Sequence, residues 1–469
     1  MLKGNGLRLT ATELAAHVRA GPRYTSYPPA TELDERFGPA EAAAQLDQLR
    51  IDRPDAAVSL YCHIPFCTRL CWYCGCNVVV TRDRSRATGY IDDLLAEIDL
   101  VAARAGRGRP LAELALGGGS PNFLAAEDLA RLMAGIAAAF TIQPDAELGL
   151  ELDPRDTRLD EVAAMAALGF RRLSMGVQDF DPEVQRRINR HQSEEQTWHL
   201  VQRARHEGFT SVNIDLIYGL PGQTSASTAR TIQAVAAMNP EQVAVFGYAH
   251  LPHLRRHQKL VERDGALPDA AARAELLLVA VDELERAGYQ RIGLDHFARP
   301  DAPLARAART GKLHRNFQGY VVRHADHLLA CGVTGISDVG DACWQNHGDV
   351  DKWAMAVRAG VLPAHRGIAL DRDDRLRRWV ITRLMCDGTL DFGAVERRFG
   401  ICFEDYFAGQ LDRLAGGDSA ALVCVDRQAR VLRATPLGNL LIRNVAMVFD
   451  RYLDRAAAAG TGPRFSQSL

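Results

Sequence analysis

Short apolar runs alternate with longer amphipathic stretches through the first two thirds of the chain. The runs predict β-strands and the stretches predict helices with apolar residues at helical spacing. The predicted strands are Val58–Tyr61, Leu114–Leu116, Leu148–Leu152, Arg172–Val177, Ser211–Tyr218 and Gln242–Tyr248. The predicted helices cover 39–50, 91–103, 126–140, 159–168, 183–190, 195–207, 224–238 and 270–287. Strands that alternate with helices in this way form parallel βα units.

The pattern predicts an α/β fold built as a partial (β/α)6 barrel. The near-continuous apolar strands fit a sheet that helices cover. We assign 1–54 to an N-terminal segment covering the active site and 55–365 to the barrel, with extra C-terminal strands as an extension. A small, mainly helical domain is expected over 366–455, with a winged-helix-like arrangement as one candidate. The alanine-, glycine- and serine-rich residues 456–469 are expected to form a flexible tail.

Polar residues and glycines fall at the carboxyl ends of the predicted strands, where parallel barrels carry their chemistry. These residues are Tyr61, Gly118, Gly119, Ser120, Glu151, Gln178, Asp215 and Ala249. Their placement predicts a functional site at that end of the sheet. Glu151 and Asp215 lie on apolar strands, so each needs a partner. A ligand and a salt bridge to an arginine are equally compatible with the sequence.

A cysteine-rich loop directly follows the first predicted strand. Residues 62–76 contain five of the ten cysteines, and Cys67, Cys71 and Cys74 have the spacing C-x3-C-x2-C. Clustered thiolates select zinc, copper(I) or iron–sulfur clusters. Structural zinc takes four ligands, usually as two separated pairs, and the sequence has no second pair. Three thiolates can hold three irons of a 4Fe–4S cluster and leave the fourth iron open. Buried thiols and a disulfide are the weaker alternatives.

Composition limits the classes of partner. The net charge is −2 and apolar residues make up 47% of the chain, so no overall field favours nucleic acid or a membrane. No apolar run approaches the length of about 20 residues that spans a bilayer. The first twenty residues lack the apolar core of a secretory signal. We therefore expect a cytoplasmic protein without nucleic-acid or membrane partners, and a monomer, since no long exposed apolar stripe is evident.

The cysteine spacing, with an aromatic residue at Tyr73, resembles the signature loop of radical S-adenosylmethionine (SAM) enzymes. The resemblance implies a 4Fe–4S cluster on Cys67, Cys71 and Cys74. In that superfamily the open iron chelates the amino and carboxylate groups of SAM. One electron from the cluster then cleaves the sulfonium to give a 5′-deoxyadenosyl radical.

A wider resemblance covers essentially the whole chain and points to oxygen-independent coproporphyrinogen III oxidases. The stretches that carry it are Pro22–Pro28, His63–Asn77, Gly117–Pro121, Glu151–Arg155, Leu173–Phe180, Asn213–Pro221, Tyr248–Pro252, Asp295–Pro300, His314–Tyr320 and Leu441–Asn444. Members of this family convert coproporphyrinogen III to protoporphyrinogen IX. They decarboxylate two propionates oxidatively to vinyl groups and need an electron donor, whose identity the sequence leaves open.

The resemblance also implies roles for individual residues. Positions that contact the cluster-bound SAM are matched by Tyr61, Gly118, Glu151 and Ile336. Positions that contact a second SAM are matched by Tyr73, Gly119, Ser120, Gln178, Arg190, Asp215 and Ala249. Cys76 matches a cysteine that activity requires but that is not a cluster ligand. Without the family, Arg190 at the end of a predicted helix is an ordinary solvated side chain.

Two other functions remain open at this point. Haem chaperones share the cluster and the barrel but generally lack a cysteine two residues after the third ligand, so Cys76 and the segment Tyr24–Tyr27 favour the oxidase. The second alternative is a zinc-stabilised α/β protein with a helical partner-binding tail. Coproporphyrinogen has four carboxylates, which makes Arg23 and Arg315 candidate anchors for the substrate.

Overall fold

The computed structural model describes residues 9–263, 265–316, 319–323, 325–458 and 465–468, with only the backbone for 456–458. The strands, in chain order, are β1 (Val58–Ile64), β2 (Phe66–Cys67), β3 (Val79–Val80), β4 (Arg109–Gly118), β5 (Phe140–Leu152), β6 (Arg172–Gln178), β7 (Ser211–Tyr218), β8 (Gln242–Gly247), β9 (Gln290–Arg291), β10 (His296–Ala298), β11 (His314–Asn316), β12 (Gly319–Val321), β13 (His327–Cys331), β14 (Ile336–Val339), β15 (Ala342–Asn346), β16 (Ala364–Ala369), β17 (Thr389–Asp391), β18 (Val423–Asp426) and β19 (Val431–Ala434).

The α-helices surround these strands. In chain order they are α1 (Ala11–Ala16), α2 (Pro39–Asp52), α3 (Ser85–Ala105), α4 (Ala126–Ala139), α5 (Leu159–Ala167), α6 (Pro182–Arg187), α7 (Glu194–His206), α8 (Ser225–Met238), α9 (Ala270–Arg286), α10 (Pro303–Arg309), α11 (Val350–Arg358), α12 (Arg372–Asp387), α13 (Phe392–Phe399), α14 (Phe403–Tyr406), α15 (Ala408–Ala415), α16 (Pro436–Leu440), α17 (Ile442–Met447) and α18 (Arg451–Ala458).

The six predicted strands form the centre of one large sheet. β1, β4, β5, β6, β7 and β8 are neighbours in that order, and each pair is parallel. Every residue of β1 is buried, as expected for a strand with helices on one face and the enclosed lumen of the partial barrel on the other. The prediction of parallel βα units is therefore confirmed.

Later segments extend this sheet at both edges. At one edge β13 pairs in parallel with β1, and β14, β15 and β16 continue in antiparallel fashion. At the other edge β10 pairs antiparallel with β8, and β9 completes the row. The resulting order is β16-β15-β14-β13-β1-β4-β5-β6-β7-β8-β10-β9. A partial barrel with extra C-terminal strands, as predicted, is confirmed.

The predicted helix 183–190 is too long. Helix α6 begins after the N-cap Asp181, with Pro182 in the first turn, and ends at Arg187. Asn189 has φ +55°, a left-handed conformation that stops helical geometry. The turn carries Arg190 back toward the sheet, where it is buried rather than solvated.

The C-terminal part packs helices α12 to α15 around a small antiparallel sheet of order β17-β19-β18. Its core contains packed aromatic rings: Phe392 and Phe403 are stacked with centroids 4.3 Å apart, and Phe407 and Phe449 meet edge to face with centroids 5.2 Å apart. The large sheet runs to Ala369, so the last four residues of β16 fall inside the range expected for this domain. Across the part of the chain that the structure describes, no helix has the length and apolarity needed to cross a bilayer.

The N-terminal segment is held by the C-terminal helices. The Tyr24 hydroxyl donates to Asp450 Oδ2 at 2.9 Å, and the rings of Tyr27 and Tyr452 meet edge to face. Arg378 of α12 donates to the carbonyl oxygen of Tyr27 at 2.6 Å. Part of the expected tail, 465–468, bridges to the N-terminal segment through Ala20 and Gln467. Residues 456–458 of the expected tail are the end of helix α18, and 459–464 and 469 lie outside the described residues.

Candidate functional site

The cysteine loop lies at the carboxyl end of β1, between the paired strands β2 and β3. Two residues after β4 hold it there: the backbone N–H of Gly119 donates to Ile64 O at 2.8 Å, and that of Ser120 donates to Phe66 O at 2.9 Å. A Cβ atom at Gly119 would lie 2.6 Å from the carbonyl carbon of Pro65. Glycine is therefore required for the loop to approach β4 this closely.

A buried charge cluster supports the loop from the side of β5. Asp153 accepts hydrogen bonds from Arg155 Nη2 at 2.6 Å and from Arg190 Nη1 at 3.1 Å. Both arginines also donate to Cys71 Sγ at 3.3 Å. Burial raises the pKa of Asp153, but the charges of Arg190 and Arg155 outweigh it and lower that pKa to about 2. The cluster thus places positive charge directly against a thiol of the loop.

The thiols of the loop differ in environment. Burial, together with the neighbouring Cys74 and Cys71, raises the pKa of Cys67 to about 12. A hydrogen bond with Cys76 lowers the pKa of Cys74 to about 7, against burial. The backbone N–H of Cys76 donates to Cys74 Sγ at 3.4 Å. Cys76 therefore contacts the sulfur of a predicted cluster ligand directly.

The loop fits a 4Fe–4S cluster by its donor set. Three thiol side chains on one short loop match the thiolate ligation of such clusters, and the arginines at Cys71 offset the negative charge that thiolates bring. Among the described residues, no group of three or more His, Cys, Asp or Glu side chains converges on a single metal ion. That geometry concerns mononuclear sites, whereas a cube takes one thiolate on each iron.

An inner cavity of about 350 Å³ opens within the lumen of the sheet, lined by Tyr61, Glu151 and Asp215 among others. The Glu151 carboxylate faces this space and accepts a hydrogen bond from the N–H of Gly118 at 3.2 Å. Burial and the charge of Asp215 raise the pKa of Glu151 to about 7. Asp215 accepts from Ser174 Oγ at 2.9 Å and from Asn213 Nδ2 at 2.7 Å. The hydrogen bonds to both carboxylates thus come from neutral donors, and Arg172, which also lines the cavity, acts on them through its charge.

Gln258 connects two of the predicted site residues that are far apart in sequence. Its Nε2 donates to the carbonyl oxygen of Tyr73 at 2.8 Å and to that of Ala249 at 3.2 Å. Gln258 is 1% exposed, and its Oε1 accepts from the N–H of Leu251 at 2.6 Å. The cysteine loop is thereby fixed to the chain that follows β8.

The remaining predicted residues occupy two further places. Ser120 accepts from the backbone N–H of Asp153 at 3.1 Å, which joins it to the charge cluster. Gln178 ends β6 with φ +71°, and its side chain covers Gly176 beside Arg190. Ile336 is separate from the inner cavity. It lines a larger cavity of about 900 Å³ between β13–β14, the N-terminal segment and α12.

Three supporting residues were missed from the sequence: Asp153, Arg155 and Gln258. Asp153 had a usable signal, because it directly follows a parallel strand in the same way as the residues that were singled out. Gln258 had none. It lies in an irregular 3₁₀ segment, Arg256–Glu262, after the last predicted strand.

Comparisons with known proteins agree with this geometry. The Radical SAM superfamily model matches residues 61–235, and the HemN C-terminal domain model matches residues 370–441. The fold and the cysteine loop thus define a radical SAM protein, which implies a 4Fe–4S cluster and SAM as cofactors.

Similarity over nearly the full length identifies one family within this superfamily. The chain is 45% identical over 438 residues to the oxygen-independent coproporphyrinogen III oxidase of Escherichia coli, covering 93% of this chain and 94% of that protein. The corresponding oxidase of Pseudomonas aeruginosa is 41% identical over 450 residues, covering 95% and 96%. The solved E. coli structure, described as a radical SAM enzyme, superposes with a TM-score of 0.87 at 44% identity, over 92% and 97% of the two chains. The chain belongs to the family of oxygen-independent coproporphyrinogen III oxidases.

Proposed function

We propose that this chain is a radical SAM oxidoreductase that converts coproporphyrinogen III to protoporphyrinogen IX without oxygen. It would decarboxylate two propionate side chains to vinyl groups, a step of haem biosynthesis. The observation that carries the proposal is the three-cysteine loop at the carboxyl end of β1, beside an inner cavity lined by Tyr61, Glu151 and Asp215. The relatives reported above are named as oxidases, and they give no support to the haem-chaperone alternative.

Cys67, Cys71 and Cys74 would hold the cluster. When bound, cluster and SAM supply a 5′-deoxyadenosyl radical that can abstract a hydrogen atom from a propionate β-carbon. Tyr61, Gly118, Glu151 and Ile336 are our candidates for binding this SAM. A second SAM is part of the proposal, with candidate contacts at Tyr73, Gly119, Ser120, Gln178, Arg190, Asp215 and Ala249. Cys76, which contacts Cys74 Sγ, is the proposed additional residue that activity requires.

The chain itself contributes enclosure and fixed geometry. Tyr24 and Tyr27 of the N-terminal segment are buried and help to line the larger cavity. In this proposal their packing limits the access of water to the lumen from that side, which would protect a radical from quenching. The Glu151 carboxylate, oriented by Gly118 N–H, presents an acceptor to an ammonium or hydroxyl group in the inner cavity. These are positioning roles, and they need no movement of the sheet.

The wider setting is also proposed. We divide the chain into an N-terminal cover over 1–54, a barrel with its extension over 55–365, a C-terminal domain over 366–455 and a tail. A free-thiol loop suits the reducing cytoplasm. The enzyme would act as a monomer with an external one-electron donor for the cluster. It would also need an acceptor for the electron that each substrate radical releases together with carbon dioxide, and its own residues identify neither of the two.

Anaerobic turnover tests the function directly. Protein with its cluster assembled is incubated with SAM, a reductant and coproporphyrinogen III, and the porphyrins are oxidised and separated by fluorescence. We expect protoporphyrin to accumulate together with 5′-deoxyadenosine. Reactions without SAM or without reductant are the controls. Tight haem binding with no vinyl product in the complete reaction would contradict the proposal.

A further inference from the structure

Two cavities of the lumen meet at Arg315 and Thr25, which line both of them. The inner cavity measures about 350 Å³ and the larger one about 900 Å³. Small-molecule pockets span about 300–1,000 Å³, so these values lie near the two ends of that range. A tetrapyrrole with eight substituents therefore suits the larger cavity, and the inner one suits a smaller group that reaches in beside Glu151.

Arg315 has unused hydrogen-bonding capacity at this junction. Its side chain on β11 is 2% exposed, yet Nε and Nη1 have no hydrogen-bond partner within the described chain. The distance from Nη1 to Asp295 Oδ1 is 3.6 Å, beyond hydrogen-bond range, and Nη2 donates to Arg23 O at a long 3.4 Å. The charge of Asp295 offsets part of the cost of burying this guanidinium, but two of its N–H groups gain no hydrogen bond, and a ligand with two acceptor oxygens would satisfy them.

The charges around Arg315 favour an anion. Asp295 is the acid beside it, and that carboxylate already accepts a hydrogen bond from His296 Nδ1 at 2.6 Å. Arg23 adds a second cation on the same side and lines the inner cavity.

We infer that Arg315 binds the carboxylate of a propionate that the reaction leaves intact, and so positions the macrocycle in the larger cavity. The inference rests on the proposed function. Two of the four propionates lose their carboxylate as neutral carbon dioxide. An arginine bound to a departing carboxylate would stabilise the ground state more than the transition state and slow the reaction. A retained propionate carries no such penalty, because its charge does not change.

Porphyrin binding separates this role from catalysis. The probes are protoporphyrin IX, which carries only the two retained propionates, and its dimethyl ester. Binding to cluster-loaded protein is followed anaerobically by fluorescence quenching. We expect the wild-type protein to prefer the diacid by roughly 10- to 100-fold, as for charge-assisted hydrogen bonds. Arg315→Met should reduce that preference to near unity, and Arg315→Lys should recover part of it.

Matched variants guard against indirect effects. Arg315→Met leaves Asp295 uncompensated, so Arg315→Met combined with Asp295→Asn keeps the site neutral and should show the same loss of preference. Arg299→Met changes an arginine that lines neither cavity and should keep the wild-type ratio. Iron content and thermal unfolding verify that each variant is folded.

Two results would overturn the inference: a wild-type protein without preference for the diacid, or an unchanged ratio in both Arg315→Met variants. Turnover of coproporphyrinogen III by the wild-type protein is measured separately. Normal turnover combined with either result would remove the role of Arg315 and leave the proposed function intact. Absence of turnover would instead contradict the proposed function itself.

Discussion

Asp153 at the cysteine loop is largely buried and Asp450 at the N-terminal segment is fully buried, and the protein stabilises the two carboxyl groups in opposite ways. Asp153 is paired with Arg155 and Arg190, and their charges hold its pKa at about 2. Asp450 accepts from the Tyr24 hydroxyl and from the backbone N–H of Tyr452, and burial raises its pKa to about 6. The same carboxyl group is thus ionised throughout the neutral range in one place and close to protonation in the other.

The difference corresponds to what each region has to do. At the cysteine loop, the guanidinium groups of Arg155 and Arg190 donate to Cys71 Sγ. Their positive charge would stabilise cysteine thiolates that bind a cluster. At the N-terminal segment, the Tyr24 hydroxyl and the backbone N–H of Tyr452 satisfy Asp450 without an ion pair, and Arg378 donates only to a neutral carbonyl oxygen, that of Tyr27. The first region is organised for chemistry, and the second for enclosure.

The largest contrast between the regions is expected from single side-chain deletions. Cys71→Ser removes a predicted cluster ligand, so iron and sulfide content should fall to background and turnover should be lost. Tyr24→Phe removes one hydrogen bond to Asp450, so iron should stay bound while the free energy of unfolding falls by about 1 kcal/mol. Metal analysis, turnover and denaturant unfolding measure these effects.

The exposed Cys402 supplies the control for the first variant. Cys402→Ser should keep full iron content and activity. A Cys71→Ser protein that retains an intact cluster would show that this thiol is not a ligand. The charge cluster around Cys71 would then have no role in cluster binding.

How much of each region could be predicted from the sequence depends on how far apart in the chain its contacting residues lie. The six central strands and the cysteine loop were predicted, because apolar alternation and cysteine spacing are local signals. The cover of the lumen was expected but its contacts were not, since Tyr24 and Asp450 are 426 residues apart. Likewise β13 pairs with β1 across more than half the chain, and no pattern within either strand specifies that partner.

Arg190 illustrates the limit at a single residue. Its neighbours predict a helix, and a helix end predicts a solvated arginine. The left-handed turn at Asn189 reverses the chain, and Asp153, 37 residues away, supplies the charge that makes burial acceptable. Local propensity predicts the helix that precedes such a residue, whereas its tertiary partner determines where the side chain lies.

A medium-sized effect is expected from Asp153→Asn, which leaves two buried arginines without their carboxylate. Removing one partner from buried ion pairs typically costs about 3–5 kcal/mol, and we expect a loss of that size in the free energy of unfolding near pH 7. Because the folded pKa is lowered to about 2 from about 3.9, the contribution is full above pH ~4 and is lost as the pH falls toward 2.

The exposed Asp160, paired with Arg158, is the matched control for this change. Asp160→Asn should leave the denaturation midpoint unchanged. If Asp153→Asn also left the denaturation midpoint unchanged, other groups would have to stabilise the two arginines. The charge cluster would then not be the element that holds the loop.

The smallest effect, and the one of opposite sign, is expected from Asp450→Asn. The pKa of Asp450 is raised from about 3.9 to about 6, so folding favours the protonated form. Wild-type stability from this group is fully present below pH ~4 and declines as the pH rises through 6. An asparagine carries no charge to desolvate, and its amide can donate to the Tyr24 oxygen while its carbonyl accepts from Tyr452 N–H. Asp450→Asn should therefore be more stable than wild type by about 1–2 kcal/mol at pH 8.

The pH dependence of this difference is the decisive measurement. Denaturant unfolding of both proteins between pH 4 and 8 should give stability curves that meet near pH 4, where the wild-type carboxyl of the folded protein is itself neutral. The curves should diverge between pH 4 and 6 and keep a constant difference above pH 6. Asp418→Asn, at an exposed aspartate paired with Arg19, should follow wild type over the whole range. A variant less stable than wild type at pH 8 would mean that Asp450 functions as a charged partner after all. The two aspartates would then differ only in degree, and enclosure would rely on charge in both regions.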